Sequence, residues 1–221
     1  MKDLQSGVET QDQCDILINA SGILNNWKWP DIDGLNDYKG TLLHTANWDN
    51  NVELEGKRVG LIGNGSSGIQ VLPTIQPKVE HVTTFIREPT WVSPAQGLEQ
   101  HVFTPQELED FANEPGSLID YRKKVETGLN GQFGLFLKGT TVNNDTRDYM
   151  VAQMSEKIND ERLISKLIPE WKVGCRRLTP GVGYLESLTK PNVTVAYGGI
   201  QKITERGCVS NDGQEYPVDV L

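Results

Sequence analysis

The chain has 221 residues, 37% of them hydrophobic, which is enough apolar material for one large domain or for parts of two. Its formal net charge of −9 argues against a nucleic-acid-binding surface, and without a stretch of about eighteen apolar residues we expect no membrane span. Its three cysteines, at positions 14, 175 and 208, form no closely spaced pair, which disfavours a metal centre or thiol redox site and indicates a reducing, cytoplasmic location.

The first part of the chain contains one strand-like segment. The apolar residues 15–20 end at Ser21 and Gly22, as a strand does where its backbone lies close to a ligand or a neighbouring segment. An ordinary strand-to-turn junction explains this pattern equally well. Residues 25–34 are dense in turn-forming residues and predict a loop.

The next stretch places an aromatic residue, a glycine, a histidine and a tryptophan in order. These are Tyr38, Gly40, His44 and Trp48, and Asp49 follows them. Composition alone says little here, because a structural histidine and a tryptophan of the core are equally consistent with the pattern. The spacing becomes informative only beside the motifs that follow.

The central motif is a glycine-rich turn between an apolar strand and a helix. Residues 59–62 predict a short buried strand, and residues 69–72 predict the start of a helix. Three glycines between them suit a tight turn, close approach to a pyrophosphate and close helix–strand packing, in the run Gly63-Asn64-Gly65-Ser66-Ser67-Gly68. A second strand at residues 81–86 completes a β–α–β unit, so dinucleotide binding is favoured over an ordinary glycine-rich connection.

The helix start and the end of the second strand predict how the dinucleotide is held. Free N–H groups at the helix start are expected to face the phosphates. Ser66 and Ser67 are expected to cap the helix or to donate to phosphate oxygens. Gln70, which follows in the helix, is expected to be a further cofactor-binding residue. An NAD site usually has Asp or Glu after the second strand, whereas this chain has Arg87, whose guanidinium favours the 2′-phosphate of NADP. The alternative is a solvated Arg87 with Glu88 as the ribose ligand.

Residues 104–168 predict a helical section. A helix start is indicated by Thr104 as N-cap, with Pro105 in the first helical position and Glu107 completing a capping box. Apolar residues then recur at helical spacing, namely Leu118, Tyr121, Val125 and Leu129, and later Met150, Met154 and Ile158. The methionine and aromatic positions are expected to be core rather than pocket.

Two adjacent arginines follow in a loop. Arg176 and Arg177 lie between glycine and proline residues and are free to project toward an anion. A solvated pair is the ordinary explanation, but an acidic chain that must hold a charged dinucleotide favours anion binding. Residues 191–195 predict a strand, and residues 200–221 predict two or three more, with a tight turn at 211–213 and a last strand at 218–221.

Together these motifs resemble those of the Baeyer–Villiger monooxygenases, a family of class B flavin-dependent monooxygenases. Gly40, His44, Trp48 and Asp49 match the family fingerprint FxGxxxHxxxW followed by Pro or Asp, with Tyr38 in place of phenylalanine. In that family the fingerprint histidine lies in the linker between the FAD and NADP domains and is tied to domain movement. The resemblance therefore implies no general-base role for His44.

The resemblance also implies roles for the arginines. Arg87 corresponds to an arginine that contacts the 2′-phosphate of NADP. Arg176 and Arg177 correspond to a basic residue and an arginine that precede a tyrosine-bearing helix and a PNV-type strand. By this correspondence Arg176 contacts NADP, and Arg177 is the catalytic arginine that stabilises the negatively charged flavin peroxide and the adduct formed on the ketone.

The fold that the resemblance implies is α/β. It has a Rossmann-like NADP-binding domain (βαβ, three layers) at residues 36–199, which includes the helical section, and pieces of an FAD-binding domain at residues 1–35 and 200–221. No GxGxxG precedes residue 60. We therefore expect an interior section of a longer monooxygenase, with flavin-domain segments missing.

The implied function is FAD- and NADPH-dependent insertion of oxygen from O₂ next to the carbonyl of a ketone, giving an ester or lactone. The substrate is expected to be a small organic molecule or secondary metabolite. One alternative is a flavin monooxygenase that hydroxylates N or S atoms, which Trp48-Asp49 and Arg177 disfavour. The other is a degenerate, non-catalytic NADP-binding module, which the missing flavin loop favours.

Overall fold

A computed structural model describes residues 2–22, 24, 26–94 and 101–221. It divides into two compact units, Met1–Pro30 and Asp31–Leu221, which are described separately. In the first unit Lys2 forms an antiparallel bridge with Glu9. One residue of the predicted 25–34 loop, Asn25, lies outside the described residues.

The strand predicted at residues 15–20 is wrong. This segment has irregular backbone, and Ile16, Leu17 and Ile18 are 79 to 84% exposed. A strand needs a neighbour for its N–H and C=O groups, and the described residues of the first unit offer these six none. Apolar composition was therefore insufficient to predict the strand.

The second unit is a mixed α/β structure. Its strands are β1 (Arg58–Ile62), β2 (His81–Ile86), β3 (Val92–Ser93), β4 (Thr179–Pro180), β5 (Val193–Tyr197), β6 (Ile200–Ile203), β7 (Gly207–Ser210) and β8 (Glu215–Pro217). Its α-helices are α1 (Ser66–Ile75), α2 (Pro105–Asn113), α3 (Ser117–Asn130), α4 (Thr141–Ile158), α5 (Glu161–Leu167) and α6 (Tyr184–Ser187). No helix in the described ranges combines the length and the apolar character that crossing a bilayer requires.

A parallel sheet positions the candidate site. Its strand order is β1-β2-β5, with Val59 opposite Val82 and Val82 opposite Val193. Parallel neighbours need a crossover connection, and α1 supplies it between β1 and β2. The predicted β–α–β unit around the glycine turn is therefore confirmed.

The two faces of this sheet pack against different elements, because successive strand residues point to opposite sides. Val59, Val82 and Ile86 belong to a core shared with helices α1, α4 and α6. On the other face Phe85 packs with residues of the antiparallel sheet β6-β7-β8, and its ring meets Tyr216 edge-on at 5.6 Å. Helices thus cover one face and antiparallel strands the other.

The helical section begins as predicted. The N–H of Glu107 donates to Thr104 Oγ1 at 3.2 Å, and Glu107 Oε2 accepts from the N–H of Thr104 at 2.7 Å, which confirms the capping box. Met150, Met154 and Ile158 of α4 are buried, also as predicted.

The apolar stripe of α3, unlike that of α4, is not buried. Neither α2 nor α3 has a buried residue. Leu118, Val125 and Leu129 are 45 to 56% exposed, and Tyr121 is 37% exposed, so the expected place of this aromatic residue in the core is wrong. Helices α2 and α3 pack on each other through the tilted rings of Phe111 and Tyr121, and both rings meet Phe103, which precedes α2, edge-on. Periodicity predicted this helix but not which surface covers its apolar side.

The strand predicted at residues 218–221 is reduced to one bridging residue. Val220 pairs with Val59 of β1 and with Thr41. Beside it the Arg58 N–H donates to the Asp219 carboxylate at 2.9 Å, where a regular ladder would use a carbonyl oxygen. The side chain of Asp219 has therefore replaced one main-chain acceptor of the strand.

The Arg58–Asp219 pair predicts a pH dependence of stability. Hydrogen bonds from the Arg58 guanidinium and N–H lower the pKa of Asp219 from 3.8 to about 2. A lowered carboxyl pKa gives stability that is present above the ordinary pKa and is lost as the pH falls toward the lowered one. Because Asp219 and Arg58 are 36% and 43% exposed, we expect Asp219→Asn to cost only about 1 kcal/mol of unfolding free energy at neutral pH.

Denaturant titrations of both proteins between about pH 5 and about pH 2 measure this effect. The difference in unfolding free energy should shrink across that window. A difference that stays constant would contradict the assignment to the Asp219 carboxylate.

Candidate functional site

A cleft with a volume of about 690 Å³ opens at the carboxyl ends of the three parallel strands. Residues 63–66 follow β1, residues 87–90 follow β2, and residues 198–200 follow β5, and all of them line it. Arg176, Arg177 and Thr179 also line it, as do Asp31, Ile32, Ile62 and Phe85. Parallel α/β sheets bind their ligands at this edge, outside the carboxyl ends of the strands.

The glycine turn has the geometry that its sequence predicts. Gly63 has φ +96°, a conformation that side chains disfavour, and its N–H donates to the Phe85 carbonyl at 2.9 Å. A β-carbon on Gly68 would overlap the Gly63 carbonyl oxygen, so only glycine allows the helix to approach the strand this closely. A β-carbon on Gly65 would meet no atom within 4 Å and would project into open space at the helix start.

One of the two roles predicted for the serines of the turn is contradicted. Gly65 is the N-cap of α1 and no side chain caps the helix, so capping by Ser66 or Ser67 is wrong, while donation to phosphate oxygens stays a prediction. Ser66 Oγ lies 3.0 Å from Thr179 Oγ1 instead. The amide of Gln70 donates back to the Ser66 carbonyl at 2.9 Å, and Gln70 lines a neighbouring groove rather than the cleft.

The start of α1 suits a phosphate group. The first N–H groups of a helix have no partner within it, and here they belong to Ser66, Ser67 and Gly68. The helix dipole adds positive partial charge at the same end. Ser67 and Gly68 are not among the residues that line the cleft.

Three arginines border the cleft, and they differ in whether they form an ion pair. Arg87 and Arg177 are exposed, and neither forms an ion pair with any residue that the structure describes. Arg176 pairs with Glu88 at 2.8 Å, and its guanidinium carbon lies 4.6 Å from the ring centroid of Trp171. Arg177 also lines the neighbouring groove along α1.

Glu88 connects the two sides of the cleft. Its carbonyl oxygen accepts from Asn64 Nδ2 at 2.9 Å, while its carboxylate holds Arg176. The structure therefore brings together eight of the residues that the sequence singled out. They are Gly63, Asn64, Gly65, Ser66, Arg87, Glu88, Arg176 and Arg177.

The four fingerprint residues do not line the cleft. A β-carbon on Gly40 would overlap the Tyr38 hydroxyl, so this glycine permits close packing. His44 Nδ1 accepts from the N–H of Ala46 at 3.1 Å in a local turn. Trp48 is 40% exposed, and Asp49 accepts from the N–H of Asn51 in another turn.

Burial keeps the hydroxyl of Tyr38, the tyrosine that packs on Gly40, protonated. Its hydroxyl donates to the Val218 carbonyl at 3.0 Å, and burial raises the pKa of Tyr38 to about 12. Tyr38 therefore stays a neutral hydrogen-bond donor, which supports a packing role for this end of the fingerprint.

Sequence reasoning missed several residues of the cleft. Thr179 is buried and contacts Ser66, while Gly198 and Gly199 follow β5 directly. The glycine pair could have been found, because the segment after each parallel strand lies at the binding edge. Thr179 gave no signal, since its partner is 113 positions away.

The chain is similar to curated flavin-dependent monooxygenases over nearly its whole length. It is 40% identical over 220 residues to the FAD-binding monooxygenase tazF of Aspergillus terreus, covering 96% of this chain and 39% of that protein. It is 33% identical over 215 residues to a Baeyer–Villiger monooxygenase of Streptomyces coelicolor, covering 94% of this chain and 39% of that protein. No protein-family model matches the chain.

Solved structures agree with these relatives. The NADP⁺-bound cyclohexanone monooxygenase from Rhodococcus sp. Phi1 is 27% identical with a TM-score of 0.75, covering 92% of this chain and 44% of that one. The complex of OTEMO with FAD and NADP is 22% identical with a TM-score of 0.75, covering 91% and 45%, and shows the fold alone. The resemblance to Baeyer–Villiger monooxygenases is thus confirmed, and the chain spans less than half the length of these relatives.

Proposed function

We propose that this chain is the NADPH-binding part of an FAD-dependent Baeyer–Villiger monooxygenase, which inserts oxygen from O₂ next to the carbonyl of a small organic or secondary-metabolite ketone. The observation that carries the proposal is the cleft where the Gly63–Gly68 turn meets three arginines. Support for the reaction comes from relatives named FAD-binding and Baeyer–Villiger monooxygenases. A Rossmann-like NADP domain at residues 36–199, with flavin-domain segments at 1–35 and 200–221, is part of the proposal.

The residues of the cleft fit NADPH. The glycine turn and the free N–H groups of α1 would hold the pyrophosphate, because Gly65 leaves that approach open. Arg87 would hold the 2′-phosphate, with Arg176 as a second cation lining the same cleft. NADPH supplies a hydride when bound, and the residues named here bind and orient it.

The described ranges contain one strand–glycine turn–helix unit, and we propose that this unit binds NADPH. We assign no residue of this chain to FAD. The remaining arginine, Arg177, is assigned to the reaction, because a cation close to an oxygen atom stabilises the negative charge that develops there.

Cofactor titration of the 221-residue chain tests the binding part of the proposal. We expect NADPH to bind more tightly than NADH, and Arg87→Ala to weaken NADPH about tenfold with little effect on NADH. Arg162→Ala, which changes an exposed side chain of α5, is the control and should bind both cofactors as the unchanged protein does. Equal affinity for the two cofactors, or no binding, would overturn the assignment.

Two further measurements separate the alternatives. Product analysis on a panel of ketones distinguishes oxygen insertion, which yields esters or lactones, from hydroxylation of N or S atoms. Flavin content distinguishes an enzyme from a degenerate module when it is measured on the longer protein of which we propose this chain to be part. A longer protein that binds NADPH but carries no flavin would support the degenerate module.

A further inference from the structure

Glu88 forms an ion pair with one of the arginines that the proposed cofactor requires. It follows Arg87 at the end of β2, and its carboxylate pairs with Arg176 at 2.8 Å. The two side chains are 50% and 57% exposed, so the pair lies at the open mouth of the cleft. One of the three arginines is therefore already neutralised by the chain itself.

Contacts on both sides hold this pair at the cleft. The carbonyl of Glu88 accepts from Asn64 of the glycine turn at 2.9 Å, which fixes its main chain. Arg176 lies 4.6 Å from the ring centroid of Trp171, whose carbonyl accepts from the indole N–H of buried Trp91 at 3.1 Å. The guanidinium is thus stacked in place rather than freely mobile.

We infer that Glu88 is a specificity-determining residue that competes with the 2′-phosphate of NADPH for Arg176 and so reduces the preference for NADPH over NADH. A phosphate monoester carries about 1.5 to 2 negative charges at neutral pH. It is repelled by the Glu88 carboxylate and must share or take over the Arg176 guanidinium. NADH has a ribose 2′-hydroxyl there instead, which donates to a carboxylate.

This inference rests on the proposed NADPH site, and the variant Glu88→Gln tests it. Glutamine keeps the size of the side chain and the main-chain contact to Asn64 but removes the charge. We expect NADPH to bind about fivefold to tenfold more tightly, which is about 1 to 1.4 kcal/mol, and NADH to bind no better than before. The gain should shrink at high salt, because the pair is exposed.

Glu215→Gln is the matched control. Glu215 pairs with Arg206 at 2.6 Å in the antiparallel sheet, so this change removes the same charge from a similar ion pair outside the cleft. It should leave both affinities unchanged. Arg176→Gln is a second variant with the opposite expected effect, since it weakens NADPH and not NADH.

The outcomes separate this inference from the proposed function. If the unchanged chain binds NADPH but Glu88→Gln leaves the NADPH-to-NADH affinity ratio unaltered, Glu88 does not set specificity and the inference is overturned. If the unchanged chain binds neither cofactor, the proposed site itself is wrong. A ratio that rises in Glu88→Gln and falls in Arg176→Gln supports the competition.

Discussion

Replacing Gly68 with alanine should lower the free energy of unfolding by about 2 to 3 kcal/mol and abolish NADPH binding. The new methyl group would overlap the Gly63 carbonyl oxygen, and main-chain atoms on both sides cannot move aside cheaply. Helix α1 must therefore shift away from β1, which displaces the N–H groups that face the phosphates. Both stability and binding are lost through one contact.

Gly65→Ala is the matched change, since it adds the same methyl group three residues earlier, at the start of α1. Its backbone, at φ −73° and ψ −177°, accommodates alanine, and no protein atom lies within 4 Å of the added carbon. We expect a cost below about 1 kcal/mol, from the poorer N-cap, but NADPH binding at least about tenfold weaker.

Thermal or denaturant unfolding and NADPH titration of the two variants measure both effects. The result expected is a separation, with Gly68→Ala unstable and Gly65→Ala stable but weak in binding. Full NADPH affinity in Gly65→Ala would contradict a pyrophosphate at the glycine turn. Full stability in Gly68→Ala would contradict the close approach of α1 to β1.

The glycine turn was predictable because its requirements are local. The positive φ of Gly63 and the helix that begins at Ser66 are set by neighbours within a few positions. The capping box at Thr104 was predictable for the same reason. By contrast, the contact of Arg176 with Glu88 spans 88 positions, and no periodicity or local motif encodes it.

The failed predictions share one physical cause. Residues 15–20 have the composition of a strand, and α3 has the periodicity of an amphipathic helix, but each pattern needs a surface to cover it. Burial is a property of two segments, and a single segment indicates only that it has an apolar side.

Arg177→Ala should reduce oxygenated-product formation by about 10² to 10³-fold in the flavin-loaded longer protein of which we propose this chain to be part, while NADPH binding changes far less than in Arg87→Ala. The contacts distinguish this arginine from its neighbour. Arg176 is paired with Glu88 and stacked on Trp171, whereas Arg177 forms no ion pair with described residues and lines both the cleft and the adjoining groove. A cation without a fixed protein partner is available to stabilise charge that develops on a substrate oxygen.

Measuring ester or lactone formation alongside NADPH consumption tests this role. Because a mere loss of folding would reduce both, thermal unfolding of Arg177→Ala and the exposed control Arg162→Ala should be compared first. Arg177→Lys keeps the charge but loses the planar guanidinium, so partial recovery of product is expected. Normal product formation in Arg177→Ala would remove this arginine from the reaction, and the cleft would then be left with a role in cofactor binding alone.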